Sequence, residues 1–566
     1  MMLQASCQKS KKQKQYERDK REVVAMSLLK YFLFSCVLVA ASNLSLAHGN
    51  LADVVAGGKR AHALEMINEG TDVNALQSDG TSSLLYAIYQ NDLELVTALV
   101  NAGADTNHRN EYGASTMGEA AVLGNTDILR VLLENGADAD LSNLEGETPL
   151  MVVARAGNLE AAQLLIEHGA SLDAREHWGG QTAAMWAAAQ QQPSMLALLI
   201  QHGADIDLKS YARDWERTIL NEPRPKDMNN GGFSPLHYAA REGCTECISV
   251  LAEGGADLNA IDPDRVSPLN LALINMHFET AMALIESGAD INQWDIFGRS
   301  PLYNAIDMNT MPVGGRPDIP SQDTTTGFDV AAALLEKGAN PNMQLKLRPP
   351  YRNAVFDRGA DNPLSNGATP LIRAARSADN DAVKLLLENG ALVDLPNAQG
   401  HTPLLIVAGI QWPADPTRGR FKTEEESIET IQILLDAGAD INALTGDPSI
   451  RPQASSPNNE RDVGYERSNG RSPVFADGQT ALHAAAKIGW NKIIEFLIEK
   501  GAAQQIRDAS GRTPFDLAMG RYTAGFLQPP PEPLFETAQL IQEACMADDN
   551  CVMESPVDFS NPTAIQ

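Results

Sequence analysis

Cys244 and Cys247 form the sharpest short motif in the chain, CTEC. Two thiols at this spacing, placed at the start of a helix, can cycle between dithiol and disulfide, because a helix N-terminus lowers a thiol pKa. No strand-like run precedes them, however, and Cys247 takes a position that packing would bury. A structural disulfide or a pair of packed thiols is the favoured reading. Zinc would need two further ligands nearby, and the sequence offers no second CxxC. Cys545 and Cys551 flank a short loop in ETAQLIQEACMADDNC, which a disulfide would staple. His177 with Asp173 and His277 with Glu279 are too isolated to suggest acid–base chemistry. There is no G-x-S-x-G, H-E-x-x-H or Walker loop. No metal, cofactor or enzymatic activity is expected. The alternative is an enzyme, or a redox- or metal-sensing protein, with a site built from Cys244 and Cys247 or from the inserts described below.

The elements that would carry these residues repeat. A unit opening on G-x-T-P-L and closing near L-L-x-x-G-A-D begins at Gly80, Gly113, Gly146, Gly180, Gly232, Arg265, Gly298, Gly367, Gly400, Gly478 and Gly511. Most steps are 33 or 34 residues, and a degenerate copy fills 51–76, giving twelve units. In the unit at Gly146, Thr148 caps a helix and Pro149 takes its first turn, where a missing N–H costs nothing. Leu150, Val153 and Ala154 share one face, and Gly157 stops the helix in a left-handed conformation. A second helix follows with Ala161, Leu164 and Leu165 inward, and Gly169 ends it. One such unit cannot bury both helix faces, so stability must come from stacked neighbours. The glycines are thus helix stops, not phosphate cradles, and GADAD at 136–140 is a hairpin signature, not a calcium loop.

With SPLHYAA at 234–240 and TALHAAA at 480–486 in phase with GADLN and GAAQQ, residues 51–545 resemble the ankyrin repeat family. The resemblance implies an all-α ankyrin-repeat solenoid, helix-turn-helix units joined by β-hairpin loops. It also implies that His237 and His483, which fill the family's histidine position, bridge backbone between neighbouring repeats. The chain is similar as well to exported bacterial ankyrin proteins with long inserts. The domain reading is a capping repeat at 48–79, repeats over 80–510, and a C-terminal capping repeat and tail at 511–566. Five inserts rich in Pro, Gly, Asn and Asp interrupt the period, near 209–231, 307–326, 343–366, 409–424 and 444–477. The first contains YARDWERTIL, which could form a short amphipathic helix.

In the family, partners contact hairpin tips and the exposed face of the first helices. Carried over by position, the tips supply Tyr112, Trp178, Trp294 and Phe297. The first helices supply Tyr89, Arg155, Gln190, Arg241, Arg376 and Lys487. Aromatics and arginine are the types enriched at interface hot spots. The expected partner is a protein or peptide, and the chain is expected to be a monomer.

Charge and targeting narrow this further. The net charge is −29, and residues 1–47 carry +5, leaving the remainder near −34. Such a surface repels phosphate backbones, so no nucleic acid is expected. Residues 31–41, YFLFSCVLVAA, follow Lys30 and precede small residues, with Ser45 and Ala47 at −3 and −1 of a cleavage point before His48. Residues 1–47 therefore read as a secretory signal, with Met26 as an alternative start. Cys7 and Cys36 leave with this segment. A periplasmic or secreted protein is expected, with membrane attachment only if the segment stays uncleaved.

Overall fold

The computed structural model describes residues 50–212, 231–309, 321, 323–346, 364, 366–410, 422–446, 478–522, 531–548, 551–553 and 556–559. The proposed signal, most of each of the five inserts and all but Tyr211 and Ala212 of YARDWERTIL lie outside the described residues; those two are not helical.

Twelve helix pairs follow one another among the described residues. They are Leu51–Ala56 with Arg60–Asn68, Ser83–Tyr89 with Leu93–Asn101, Thr116–Leu123 with Thr126–Glu134, Pro149–Ala156 with Leu159–Glu167, Ala183–Ala189 with Pro193–Gln201, and Pro235–Glu242 with Thr245–Glu253. Then come Pro268–Ile274 with Phe278–Glu286, Pro301–Asn309 with Gly327–Glu336, Pro370–Ser377 with Asn380–Glu388, Pro403–Val407 with Glu424–Asp436, Ala481–Ile488 with Asn491–Glu499, and Pro514–Ala518 with Phe535–Ala547. Each pair is one repeat, numbered here one to twelve.

Local chemistry sets these helices. Ser115, Thr182, Ser267, Thr369, Thr402 and Thr513 each accept a backbone N–H of the first turn, as N-caps should. Proline occupies the first turn of repeats four, six, seven, eight, nine, ten and twelve. In repeat four the expected inward residues Leu150, Val153, Ala154, Ala161, Leu164 and Leu165 are all buried. Gly157 and Gly169 both take positive φ, at 72° and 88°.

The chain divides into two compact units, residues 1–153 with 160–171, and residues 154–159 with 172–566. In the first unit, the first helices of repeats one, two and three pack in sequence, as do their second helices. In the second unit, first helices stack on first helices and second on second from repeat five through repeat twelve. The interruptions in sequence therefore leave no break in this stack.

The connecting hairpins are present, each closed by a backbone bond such as Asn110 N to Ala114 O or Asp295 N to Arg299 O. Among the described residues there is no strand, and the hairpins contain one isolated antiparallel bridge, Arg109 with Ser115. The legs are too short for a longer ladder, and a side chain adds to the backbone bond of the turn. Asn110, Asn143, Asp262, Asp295, Asn397 and Asp508 each accept the backbone N–H groups two and four residues on. Arg265 stands where other units carry glycine and holds φ at 61°, a conformation costing a non-glycine residue about 1 kcal/mol.

A second set of Asn and Asp side chains joins the repeats. Asn74 accepts from Asp105 N, Asn107 from Asp138 N and Asp140 from Ser171 N in the first unit. In the second, Asp173, Asp207, Asn259, Asn292, Asn342, Asp394 and Asn442 accept from the N–H of Asp205, Asp257, Asp290, Asn340, Leu392, Asp440 and Ala503. Each bond ties the extended segment of one repeat to that of the next. Five of them, ending at Asp257, Asn340, Leu392, Asp440 and Ala503, cross an insert. The same register thus holds on both sides.

Asp295 is the most exacting of the turn residues. It is fully buried, accepts two backbone N–H groups and pairs with Arg299 Nε at 2.6 Å. Replacing it with Ala strands a buried guanidinium, and Asp295→Ala is expected to cost about 3–5 kcal/mol. Asp295→Asn keeps the turn acceptor and should cost less. Urea unfolding followed by tryptophan fluorescence checks this; an alanine variant within about 1 kcal/mol of wild type contradicts it.

Candidate functional site

The structure sorts the expected contact residues by exposure. Tyr112 and Trp178 project into solvent, 70% and 71% exposed. Both stand two residues after the turn-forming side chain, the outermost point of the hairpin. Trp178 rides a turn one residue longer than the others, because Glu176 replaces Asn or Asp. The buried Glu176 carboxylate accepts from Trp178 N at 2.6 Å, Gly179 N at 2.7 Å and Gln181 N at 2.9 Å. Tyr89, Arg155, Gln190 and Lys487 are also exposed, and Arg241 is half-buried. Tyr89 meets Tyr86 edge-to-face in the first unit.

Two residues expected at the surface are buried. Phe297 is 8% exposed although it holds the same turn position as Tyr112. Residues 344–346 cross this turn: Lys346 N donates to Phe297 O, and a Cβ on Gly298 would lie 2.6 Å from Lys346 N. Arg299 covers the ring at 5.1 Å. Arg376 is 5% exposed and lies one helical turn from Arg373, which pairs with Asp307 of repeat eight at 2.5 Å. The first-helix residues Asp307, Arg373 and Arg376 of repeats eight and nine are therefore interior in this chain. Trp294 is half-buried, held between the Arg265 guanidinium at 4.7 Å and Lys346 Nζ at 3.1 Å.

Residues that sequence reasoning passed over lie beside Arg155 and Arg241. The Arg155 guanidinium covers the Trp186 ring at 4.8 Å, and Arg241 covers Tyr238 at 4.9 Å. Trp186 and Tyr238 occupy the same register position, directly after the histidine position of the repeat. Comparing registers across AAMWAAA and PLHYAARE would have found them. Gln181 Nε2 donates to Tyr238 OH at 2.6 Å and fixes that ring.

The chemistry-bearing residues of the sequence serve structure. Cys244 and Cys247 lie at disulfide distance, sulfur to sulfur 2.03 Å, and so do Cys545 and Cys551 at 1.91 Å. Cys244 caps the second helix of repeat six, its sulfur facing Cys247 N at 3.2 Å. Asp173 belongs to the inter-repeat series. Glu279 accepts from Thr324 N and Oγ1, both at 3.0 Å. Among the described residues, no three His, Cys, Asp or Glu stand together as a metal site, and no helix is long and apolar enough to cross a membrane.

His237 and His483 bridge neighbouring repeats. Nδ1 of each faces the N-cap backbone N–H, so Nε2 carries the proton and donates onward, to Val266 O at 3.2 Å and Arg512 O at 3.0 Å. Burial pulls the His237 pKa down to about 4 despite the Val266 carbonyl. Burial also takes His401 to about 4, and its Nδ1 has no hydrogen-bond partner among the described residues.

The His401 shift sets a pH dependence. The folded pKa of about 4 lies below the ordinary 6.5, so its contribution to stability is full above 6.5 and lost as pH falls toward 4. His401→Leu should remove about 3 kcal/mol of that acid sensitivity and leave stability at pH 7.5 unchanged or higher. His237→Leu, which also loses the Val266 bond, should destabilise at pH 7.5. Urea midpoints measured from pH 4 to pH 7.5 read both; equal acid sensitivity in wild type and His401→Leu would show the assignment to be wrong.

Among known proteins, the chain matches the family described as ankyrin repeats (3 copies) over residues 51–143, 117–210, 217–295, 326–445 and 458–526. It is 25% identical over 387 residues to the human transient receptor potential cation channel subfamily A member 1, covering 61% of this chain and 30% of that protein. It is 26% identical over 302 residues to the E3 ubiquitin-protein ligase KEG of Arabidopsis thaliana, covering 52% and 16%. With human palmitoyltransferase ZDHHC13 the identity is 31% over 178 residues, covering 31% and 23%. The chain thus spans less than a third of the length of each of these relatives. Among solved structures, the ankyrin repeat domain of human ASB11 is 24% identical, covering 42% of this chain and 98% of that one, with a TM-score of 0.34. The ankyrin repeat domain of Bcl-3, a member of the IkappaB protein family, is 24% identical, covering 43% and 100%, with a TM-score of 0.36.

Proposed function

Because the chain belongs to the ankyrin repeat family, we propose that it is an exported scaffold that holds a protein or peptide partner through its hairpin tips and first-helix face, without catalysing a reaction. The observation that carries this reading is the exposure of Trp178. A tryptophan 71% open to solvent, on a turn made rigid by three bonds to one buried carboxylate, is a pre-organised contact. Tyr112 repeats the arrangement in the first unit. The channel, ligase and palmitoyltransferase activities named for the relatives are not carried over, since so little of each protein is matched.

Export rests on the signal-like residues 1–47 and the two cysteine pairs. Disulfides persist in oxidising compartments, so both pairs are taken as formed disulfides outside the cytosol. The acidic surface keeps nucleic acids away and the protein monomeric in this reading.

Affinity capture from the exported-protein fraction tests it, with full-length wild type compared with Tyr112→Ala and Trp178→Ala. Loss of a hot spot of about 2 kcal/mol predicts roughly a thirtyfold drop in affinity for the captured partner. Mass spectrometry of the same material should find a mature N-terminus at His48 and four oxidised cysteines. Capture unchanged by both substitutions would remove the tips from the interface, and cytosolic protein with residues 1–47 retained would refute export.

A further inference from the structure

Within the second unit, Arg155, Trp186, Tyr238 and Arg241 form a cation–aromatic strip on the first-helix face. We infer that this strip receives an extended acidic peptide, with two carboxylates about three to six residues apart and an apolar side chain between them. The inference rests on the scaffold reading and names the partner chemistry for one part of that surface.

The argument starts from Arg155. Its guanidinium lies flat over the indole of Trp186, and no carboxylate among the described residues pairs with it. Stacking uses the face of a guanidinium and leaves its edge N–H donors directed outward. The indole holds the plane, so little rotamer freedom is left to lose when a carboxylate arrives in bidentate geometry. Arg241 repeats the arrangement on Tyr238. Its Nε bonds Glu242 at 2.7 Å, which leaves the two terminal nitrogens for a ligand.

Charge then selects the occupant. The whole chain carries −29, yet the first helices of repeats four to six, PLMVVARA, AAMWAAA and PLHYAARE, carry two arginines against the single carboxylate of Glu242. His237 on the third of these is buried and neutral above its pKa of about 4. A local cationic strip in an acidic surface attracts acidic segments and repels basic ones.

Geometry sets the spacing. The first helices of repeats five and six pack side by side, which separates their axes by about 8–10 Å. Each guanidinium lies within 5 Å of its ring centre. The two charges are therefore about 10–20 Å apart, and an extended peptide crosses that distance in about three to six residues. Next to Trp186 on the same helix, Ala189 is half-buried and offers a methyl group to an apolar side chain. The Trp186 Nε1–H is buried and has no acceptor among the described residues.

Selection of random peptides on phage against the full chain, followed by fluorescence anisotropy of the synthetic winners, tests the inference. Winners should carry two Asp or Glu residues at that spacing. Arg155→Gln and Arg241→Gln should each weaken binding about tenfold, the double charge reversal Arg155→Glu/Arg241→Glu should abolish it, and the doubly reversed protein should bind the same peptides with Lys in place of the acids. Arg155 is exposed and Arg241 half-exposed, so these variants should keep the wild-type circular dichroism and melting profile, which is checked in parallel. Winners without an acid pair, or equal binding by the arginine variants, overturn the inference. If such peptides or a native partner still depend on Trp178 or Tyr112, the scaffold reading stands alone; if wild type selects no peptide and captures no partner, both fall.

Discussion

A two-helix repeat has two apolar faces and too little chain to cover them, so every repeat here is completed by its neighbours. What keeps those neighbours in register is a backbone amide of one repeat bound to an Asn or Asp side chain of the one before. Asn259 holding Asp290 N at 2.7 Å and Asn342 holding Leu392 N at 2.8 Å are two examples. Such a bond is worth about 1 kcal/mol by itself, but leaving it unmade in a packed array costs more. Repeated at ten of the eleven joints, it fixes where one turn lies on the next.

This explains how the second unit tolerates inserts. Loop-closure entropy grows slowly with length, so additional residues between repeats cost little once both sides find their register. The stack from repeat five to repeat twelve continues because the docking groups sit on the repeats themselves and not in the variable segments. The surface is altered all the same. Asp307, Arg373 and Arg376 lie on the first helices of repeats eight and nine, and all three are buried. The first-helix face stays open around Arg155 and Gln190, where consecutive repeats present alanine, aromatic and arginine side chains.

The period, the twelve units and the inward faces were legible because glycine, proline and the capping threonine each answer a local backbone demand. His237 and His483 could be assigned as bridges for the same reason, since their position in the unit fixes what they face. The hairpins were legible, but not the side-chain acceptors such as Asn110 and Asp295 that organise their turns. Phe297 was misplaced because its burial depends on residues 344–346 crossing the turn, a contact nearly fifty residues away in sequence. Arg376 was misplaced because exposure was inferred from register alone, while Trp186 was missed because an alanine-rich helix draws attention away from its one large side chain.

Hydrogen exchange at single-residue resolution tests the central claim most directly, namely that side-chain acceptors hold the repeats in one continuous register across the inserts. The amides of Asp257, Asn340, Leu392, Asp440 and Ala503 should exchange slowly, like those of Asp205 and Asp290 where no insert intervenes. Fast exchange at the five insert-spanning amides, beside slow exchange at the other two, would mean that the array breaks at its inserts and would contradict the account.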